Sequence, residues 1–378
     1  MKTIARLGIA TAAAGLFVGL GATAADAAPA APAWHPNPAV GTVFVQNDAV
    51  FGNQIVSFDR LQDGTLRQAG VYTTGGRGLA LDGSVVDHLA SQSSLARSGQ
   101  SLFAVNAGSN TITNFAVAGD RLVRHQTLGS GGQAPVSIAA RRNLVYVLNA
   151  RGGGSIQGYL NLGGSLVAVP SWHRSLGLDP NATPEFTHTP AQIAFTPDGS
   201  KIVVSTKGNT SAFEVFPLGL LGPAAKPVVS TFAGDVPFGF QFDAAGQLIA
   251  SEAGPNAVAS FTVHPNGTLT KDAEQATGQQ ATCWIVVDGT HVYASNAGSG
   301  TLSGYQLGRD GALAPTGVTT TDAGTVDAAT SADGRYLYVQ TGAAGIVDEY
   351  RVAADGGLQK IGAVTVPNGV GGEGIVAD

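Results

Sequence analysis

The feature of this chain that most limits its fold is a short apolar run that recurs seven times. Each run ends in a small or polar residue, and a turn rich in glycine or other small polar residues follows it. The runs cover residues 43–46, 102–105, 144–148, 202–205, 248–251, 292–295 and 336–340. Their ends are separated by 59, 43, 57, 46, 44 and 45 residues. A period in the forties with strand-like contents is typical of propeller blades, because one small twisted sheet cannot bury both of its faces alone.

Each repeat also contains the other strands of a small antiparallel sheet. A strand of alternating polarity follows every run, and tight turns such as Asp63-Gly64 and Asn266-Gly267 then lead into a third strand. A further strand precedes every run except the first, and residues 371–378 have the character of the strand that the first repeat lacks. The sequence therefore predicts an all-β, seven-bladed β-propeller of four-stranded blades, closed by a C-terminal strand that joins the first blade.

The amino-terminal segment predicts export. Lys2 and Arg6 precede an apolar stretch over residues 7–20, and residues 25–27 supply a small-residue cleavage site. We therefore interpret residues 1–27 as a signal peptide, 28–41 as a flexible Ala/Pro leader and 42–378 as the propeller domain. The protein is expected to be secreted, extracellular or periplasmic, after cleavage near Ala27.

The charge of the mature chain limits its partners. Without the signal peptide, 18 basic and 25 acidic residues give a net charge of −7. This sign argues against nucleic acid and against a membrane as the main partner. The chain has a single cysteine, Cys283, so an intramolecular disulfide is excluded and stability must come from packing.

Several segments resemble the β-propeller lactonase family, which includes 6-phosphogluconolactonase-like proteins and carboxymuconate cycloisomerases. The segments that carry the resemblance are residues 102–112, 195–199, 238–240, 251–254 and 295–301. The resemblance implies a seven-bladed fold and hydrolysis of a lactone, a ring ester.

The chain departs from the family at two basic pairs. The family has a His-x-His element before the glutamine of the fourth inner strand, but residues 189–192 read Thr-Pro-Ala-Gln, with only His188 nearby. The family's Arg-His pair at the start of the next blade is replaced by Pro-Phe-Gly at residues 237–239. Without these cations, an anionic lactone would be poorly held. The resemblance therefore implies a neutral or weakly charged lactone.

The resemblance implies roles for two catalytic candidates, and two histidines in an inserted loop are further candidates. Glu252 matches the family's acidic residue and would activate water, and Gln192 matches its glutamine and would orient the carbonyl group. His188 or His173 would assist proton transfer. The alternative for Glu252 is a structural turn acceptor, because asparagines occupy the equivalent places in other repeats.

Two insertions interrupt the repeats, at residues 72–90 and 170–190. Long loops on a rigid repeat body are where binding residues usually lie. The second insertion carries Trp172, His173 and His188, and we expect Trp172 to contact the ligand.

Three further residues are candidates for binding a small lactone or a carbohydrate-like ligand. Trp284 and Phe238 lie at the starts of two inner strands, where aromatic rings would suit a flat or sugar-like ligand. Asn296 follows one of the apolar runs. The alternative for the two aromatic residues is that they plug the channel or pack between blades.

The motifs of zinc, nucleotide and serine-hydrolase sites are absent from the sequence. We therefore predict neither a metal nor another cofactor. The alternative is a calcium ion in the channel, held by Asp327, Glu373, Glu252 and Asn296.

Two functions follow from these observations. The first is an exported lactone hydrolase with its site at the mouth of the central channel. The second is a non-catalytic extracellular propeller that binds a glycan or a protein partner, and the loss of both basic pairs favours it. The side chains that meet in the channel distinguish a wet, ionisable pocket from a packed plug.

Overall fold

The computed structural model describes residues 38–378, which form seven antiparallel sheets. Blade 1 contains β1 (Ala39–Gln46), β2 (Gln54–Leu61) and β3 (Leu66–Thr73), and blade 2 contains β4 (Leu95–Ser98), β5 (Ser101–Asn106), β6 (Thr111–Ala118) and β7 (Arg121–Gly129). Blade 3 contains β8 (Gln133–Arg141), β9 (Leu144–Arg151), β10 (Ser155–Leu162), β11 (Ser165–Ala168) and β12 (Arg174–Ser175). Blade 4 contains β13 (Gln192–Phe195), β14 (Lys201–Ser205), β15 (Ala212–Gly219), β16 (Gly222–Pro223) and β17 (Val228–Thr231).

The remaining strands form blades 5 to 7 and the closing strand. Blade 5 contains β18 (Pro237–Phe242), β19 (Leu248–Glu252), β20 (Ala257–Val263) and β21 (Leu269–Ala276), and blade 6 contains β22 (Thr282–Asp288), β23 (His291–Asn296), β24 (Thr301–Leu307) and β25 (Leu313–Thr320). Blade 7 contains β26 (Thr325–Thr330), β27 (Tyr336–Thr341), β28 (Ile346–Val352) and β29 (Leu358–Thr365). The closing strand is β30 (Ile375–Ala377). Two one-turn helices, α1 (Glu185–His188) and α2 (Lys207–Thr210), lie before and after β14 of blade 4.

The closing strand completes the first blade. The strand order in that sheet is β3-β2-β1-β30, and Val45 pairs with Ile375 and Val43 with Ala377. The predicted seven-bladed propeller, with its C-terminal strand innermost in the first blade, is therefore confirmed.

The innermost strands surround a central channel. Each of them contacts the innermost strand of the next blade, and the series ends where β30 contacts β4. We call the end at which the inner strands begin the upper end, and the end at which they turn back into the second strands the lower end. Apolar side chains of the second and third strands pack between blades, as Tyr338 of blade 7 does against Val43 and Phe58 of blade 1.

The structure differs from the expected strands in blades 1 to 4. The inner strand of blade 2 begins at Leu95 instead of residue 91, because residues 86–94 leave the blade and enter the channel. The outer edges of blades 3 and 4 each consist of two short strands. In blade 3, β11 and β12 both pair with β10, and in blade 4, β16 and β17 both pair with β15. β1 begins at Ala39, within the segment interpreted as the leader.

The signal peptide and residues 28–37 of the leader lie outside the described residues. None of the helices in residues 38–378 is long and apolar enough to cross a membrane.

Closure of the ring can be tested at Ile375, whose side chain is 4% exposed and packs with Val43 and Val45. Replacing it with alanine removes buried apolar volume at the seam between the two ends of the domain. We expect Ile375→Ala to lower the free energy of unfolding by about 2–4 kcal/mol, measured by urea denaturation. Val370→Ala, at a site that is 59% exposed, is the control and should change it by less than about 0.5 kcal/mol. Equal effects of the two substitutions would contradict a packed seam.

Candidate active site

The upper end of the channel is closed by residues 86–94, which we call the strap. Strap backbone groups bond to blade 3, where the Ser137 hydroxyl donates to the carbonyl of Gln92 at 2.7 Å and the Ile138 N–H donates to the carbonyl of Ser93 at 2.8 Å. The Lys207 ammonium of blade 4 donates to the carbonyl of Ala90 at 2.6 Å. The strap therefore spans the channel and is held by the inner strands and the loops beside them.

The side chain of Gln92 fixes the strap to blade 6. Its amide nitrogen donates to the carbonyl of Ile285 at 2.7 Å, and its amide oxygen accepts the Ile285 N–H at 3.1 Å. This pair of bonds reproduces the pattern of a neighbouring strand and uses both polar ends of the amide. The side chain of Gln92 is 1% exposed, so solvent does not compete for these bonds.

Trp284 and Phe238 pack directly beneath the strap. The Trp284 indole N–H donates to the carbonyl of Ser91 at 2.7 Å, and its ring meets Phe238 edge to face at 5.1 Å between centroids. Ala191 and Val326 complete this buried apolar cluster. This cluster and the strap together plug the upper end of the channel. Trp284 and Phe238, which were predicted to bind the ligand, are therefore part of this plug.

Below the plug the channel remains open as a cavity of about 570 Å³. Between its two ends the wall includes small side chains, such as Ala96, Ala140, Ala194 and Ala329, that leave the bore wide. At the lower end the wall includes Pro197, which is exposed, and the last residues of several inner strands. The cavity therefore reaches the surface at the lower end of the propeller.

The two ends of the cavity differ in polarity. Its closed end is lined by polar side chains, namely Gln92, Ser93, Gln192 and Asp327, whereas Arg97 and Arg141 lie at the lower end. These two arginines and Asp327 are the charged residues among those that line the cavity. A ligand in the bore would thus meet an acid and amides at one end and guanidinium groups at the other.

Asp327 shares a hydrogen bond with the Glu373 carboxyl group. Burial raises the pKa of Asp327 to about 6, while the bonds from Glu373 and from the backbone N–H groups of Ala328 and Ser93 oppose this rise. Burial and the neighbouring carboxylates raise the pKa of Glu373 well above its usual value. Glu373 therefore holds the shared proton, and Asp327 is the ionised partner near neutral pH.

Further ionisable groups are buried beside this pair. Burial raises the pKa of Asp48 to about 8 and that of Asp87 to about 7, and it lowers the pKa of Lys207 to about 7. Asp87 accepts the backbone N–H groups of Leu89 and Ser91, both at 2.8 Å, so it fixes the conformation of the strap. The strap is thus held by groups whose charge depends on pH.

This burial predicts how stability varies with pH. Folded Asp48 keeps a proton up to about pH 8, whereas in the unfolded chain the group loses it near its usual value of 3.8. The folded state therefore binds more protons between these values, and the free energy of unfolding falls as the pH rises through this window. We expect a lower melting temperature at about pH 8 than at about pH 5, and a smaller difference in Asp48→Asn.

The control for this experiment is Asp310→Asn, which changes an exposed carboxyl group at a turn. It should leave the difference between the two pH values as it is in the unchanged protein. Thermal denaturation followed by circular dichroism measures all three proteins, and an identical pH dependence in Asp48→Asn would contradict the assignment.

Gln192, a predicted catalytic residue, lies at the closed end of the cavity. Its amide oxygen accepts the Phe240 N–H at 2.6 Å, which fixes the orientation of the amide group. Its amide nitrogen donates to the Ser93 hydroxyl at 3.3 Å. One N–H of Gln192 and the hydroxyl hydrogen of Ser93 remain to donate to a ligand.

Glu252, the predicted base, does not belong to the residues that line this cavity. Its fully buried side chain forms an ion pair of 2.8 Å with Lys271, a residue of the outermost strand of blade 5. Burial raises the pKa of Glu252 to about 8, and Lys271 opposes the rise. The Lys271 ammonium also lies 2.6 Å from both Asp235 and Glu274.

A metal ion would need several acidic side chains close together, and blade 5 contains such a group. Within residues 38–378, Asp235, Glu252 and Glu274 are the group of three acidic side chains whose oxygens lie within 4.8 Å of one another. The Lys271 ammonium pairs with all three carboxylates. Of the calcium ligands considered from the sequence, Asp327 and Glu373 are in contact, whereas Glu252 pairs with Lys271.

His173, His188 and Trp172 are not among the residues that line the cavity. His188, at the end of α1, borders a smaller pocket of about 290 Å³ beside the Arg151–Glu185 ion pair. His173 is exposed, and Trp172 stacks on Tyr146 with 5.8 Å between ring centroids.

Asn296, a predicted ligand-binding residue, forms side-chain hydrogen bonds within its own blade. It accepts the Thr282 hydroxyl at 2.6 Å and donates to the Ser303 hydroxyl at 3.0 Å.

Sequence reasoning considered Asp327 only as a calcium ligand and missed the strap, Lys207 and the two arginines. The polar run at residues 91–94, just before an inner strand, was the available signal for the strap. No local pattern marked the arginines, because their place in the bore depends on closure of the ring.

Comparison with known proteins supports the same fold. A family model described as "Lactonase, 7-bladed beta-propeller" matches residues 250–373. The predicted resemblance to the β-propeller lactonase family is confirmed over this part of the chain. None of the curated proteins matches the chain.

Solved structures agree over most of the length. A candidate 6-phosphogluconolactonase of Bacteroides fragilis is 18% identical, with a TM-score of 0.70 over 89% of this chain and 98% of that one. The periplasmic gluconolactonase of Pseudomonas aeruginosa is 16% identical, with a TM-score of 0.71 over 89% and 98%. A Lactobacillus plantarum protein is 19% identical, with a TM-score of 0.72 over 90% and 99%. At these identities the likeness shows the fold alone.

Proposed function

We propose that this lactonase-like seven-bladed propeller hydrolyses a small lactone in its central cavity, with Asp327 as the general base. The proposal moves the reaction from the upper mouth, which the strap closes, to the cavity that opens at the lower end. It also replaces Glu252 with Asp327 as the residue that activates water.

The proposal depends on the position of Asp327 at the cavity and on its raised pKa. Its carboxyl group lines the cavity, and its pKa is raised to about 6 by burial. A base with a pKa near the working pH is ionised and still accepts a proton readily in the transition state. The protonated Glu373 beside it keeps Asp327 ionised, because two buried carboxylates in contact do not both ionise.

The other groups at the closed end suit ester hydrolysis. Asp327 would take a proton from a water molecule as the water oxygen attacks the lactone carbonyl carbon. The free N–H of Gln192 and the Ser93 hydroxyl would donate to the oxygen that becomes negative. The ring C–O bond then breaks, the leaving oxygen takes the proton from Asp327, and the product is a hydroxy acid.

The family likeness agrees with this chemistry. The matching model is that of a lactonase, and one structural neighbour is named a periplasmic gluconolactonase. The basic and apolar pattern of residues 1–27 supports export of the protein, so the substrate would be a lactone outside the cytoplasm.

The role of Asp327 can be tested with a panel of γ- and δ-lactones, assayed by proton release. We expect Asp327→Asn to lower kcat by about 100-fold or more, because the amide cannot accept the proton. In the unchanged protein, kcat/KM should rise with pH through about 6, as Asp327 ionises.

Glu252→Gln is the discriminating control, since it removes the other candidate base outside the cavity. It should retain activity if it folds, as judged by its melting temperature. Loss of activity in Glu252→Gln with full activity in Asp327→Asn would show that Glu252 is the base, as the sequence predicted. No hydrolysis of any lactone, together with binding of a glycan or protein, would instead favour the binding function.

The route into the cavity is testable at Ala194, which lines the bore between its two ends. Ala194→Trp should narrow the bore and lower kcat/KM by about tenfold or more, with a melting temperature close to that of the unchanged protein. Ala244→Trp, in an exposed turn at the lower face, is the matched control and should leave kcat/KM unchanged. Normal turnover in Ala194→Trp would show that substrate does not pass through the bore.

A further inference from the structure

The turn between the third and fourth strands of blade 4 consists of two leucines, Leu220 and Leu221, which we call the leucine tip. Leu220 is fully exposed and Leu221 is 90% exposed. Neither leucine has a positive φ, and Gly222 supplies the positive φ of the turn, at 103°. The backbone geometry of the turn therefore gives no reason for leucine at these two positions.

The other blades show what this turn usually contains. In blades 1, 2, 5, 6 and 7 it carries an aspartate or asparagine beside a glycine, and in blade 3 it is Gly163-Gly164. Such residues suit an exposed turn because they are well solvated and adopt the backbone angles that tight turns require. Two adjacent apolar side chains at the same place in blade 4 indicate contact with another surface.

Blade 3 holds the leucine tip in place. The Trp172 indole N–H donates to the carbonyl of Leu221 at 2.9 Å. The Arg174 Nε donates to the carbonyl of Ala224 at 2.8 Å, and its Nη2 donates to the carbonyl of Pro223. The backbone of the tip is therefore fixed before it meets a partner, which reduces the entropy lost on binding.

The charge around the leucine tip is positive, although the chain carries a formal net charge of −6. Residues 162–178 and 215–234, which supply the tip and its support, contain Arg174 and the exposed Lys226 but no aspartate or glutamate. No acidic side chain among residues 38–378 forms an ion pair with either cation. Both positive charges therefore remain to attract an anionic surface.

The leucine tip lies at the lower end of the propeller, as does the mouth of the cavity. Lys201, at the start of the second strand of blade 4, pairs with Pro217, and the Leu218 N–H donates to the carbonyl of Ser200 at 2.8 Å. The tip follows directly after these residues. A surface that binds the tip would therefore meet the lower end of the molecule, away from the strap.

We propose that the leucine tip docks this protein on an anionic lipid bilayer. The two leucines would enter the boundary between headgroups and acyl chains, and Lys226 and Arg174 would lie among the headgroups. Interfacial binding of this kind combines buried apolar area with attraction to anionic lipids. The proposal reverses the expectation that a membrane is not the main partner, which rested on the net charge of the chain. It does not depend on the proposed function.

The small size of the leucine tip favours lipid over a protein partner. A stable protein interface buries about 800 Å² on each side, and two side chains at the end of a hairpin supply only a small part of that area. In a bilayer, an apolar pair needs no matching pocket, because headgroups and acyl chains rearrange around it. A second copy of this chain would bring the same net negative charge, which opposes association.

The test is sedimentation with vesicles of phosphatidylcholine that contain about one-third phosphatidylglycerol, compared with vesicles of phosphatidylcholine alone. The chain used begins at residue 28, because the apolar stretch of residues 7–20 would itself bind lipid. The ring of seven sheets closes within the chain that remains. We expect the protein to bind the anionic vesicles about tenfold more tightly, and high salt to reduce this preference.

The role of the leucines is tested by a double variant, Leu220→Ser with Leu221→Ser. It should bind the anionic vesicles about tenfold or more weakly, because the apolar side chains no longer enter the bilayer. Its melting temperature should stay the same, since both side chains are exposed. Phe51→Ser is the matched control, because Phe51 is 97% exposed in the turn after β1 at the upper end. It should leave binding unaltered.

The role of charge is tested at Lys226. Lys226→Gln should weaken binding to the anionic vesicles by about fivefold and leave binding to phosphatidylcholine unchanged. Arg309→Gln is the control, because it removes an exposed cation from the corresponding turn of blade 6. It should change neither affinity.

Several results would overturn the proposal. These are no binding to either kind of vesicle, equal binding by the unchanged protein and the double variant, or an equal loss of binding in Phe51→Ser. Self-association that the double variant abolishes, without binding to vesicles, would identify a second copy as the occupant instead. Weaker binding in the double variant and in Lys226→Gln, with normal binding in both controls, would support docking on anionic lipid.

Discussion

The hydrogen bonds between the strap and the inner strands determine where this protein can act. Gln92 pairs with the backbone of blade 6, and the carbonyl of Ser93 pairs with the backbone of blade 3. Since the Gln92 side chain is buried, breaking its bonds would leave unpaired polar groups within the channel. The upper end is therefore part of the packed core, and the space left for a ligand is the bore below it.

Holding the strap in place carries an electrostatic cost. Asp48, Asp87, Asp327 and Glu373 are buried together with one lysine, Lys207, so the group would carry excess negative charge if all four acids were ionised. Desolvation and mutual repulsion raise their pKa values instead, and protons neutralise part of the charge. The same physical effect that makes this end of the channel sensitive to pH leaves Asp327 with a pKa near 6. Stability and chemistry are thus coupled at the closed end.

The fold could be predicted from the sequence because it repeats. Seven apolar runs, their turns and the strand-like residues 371–378 each report on local structure, and together they gave the number of blades and the closure. The site could not be predicted in the same way. Glu252 and Trp284 were chosen for their places within a repeat. Their partners are Lys271, two strands away in the same blade, and Ser91 in the strap. Among the four predicted catalytic residues, Gln192 is the one that lines the cavity, since it lies on an inner strand.

The inner strands explain how the bore can bind a ligand without loss of the fold. Successive side chains of a strand point to opposite faces, so one residue packs between blades while the next borders the channel. In β13, Ile193 is buried in the core between blades 3 and 4, whereas Ala194 lines the cavity and is partly exposed. The blades therefore draw their stability from one set of residues, and the width and charge of the bore are determined by another. Residues such as Ala194 and Arg141 can differ between related propellers with little cost to folding, which is why a common architecture holds sites of different specificity.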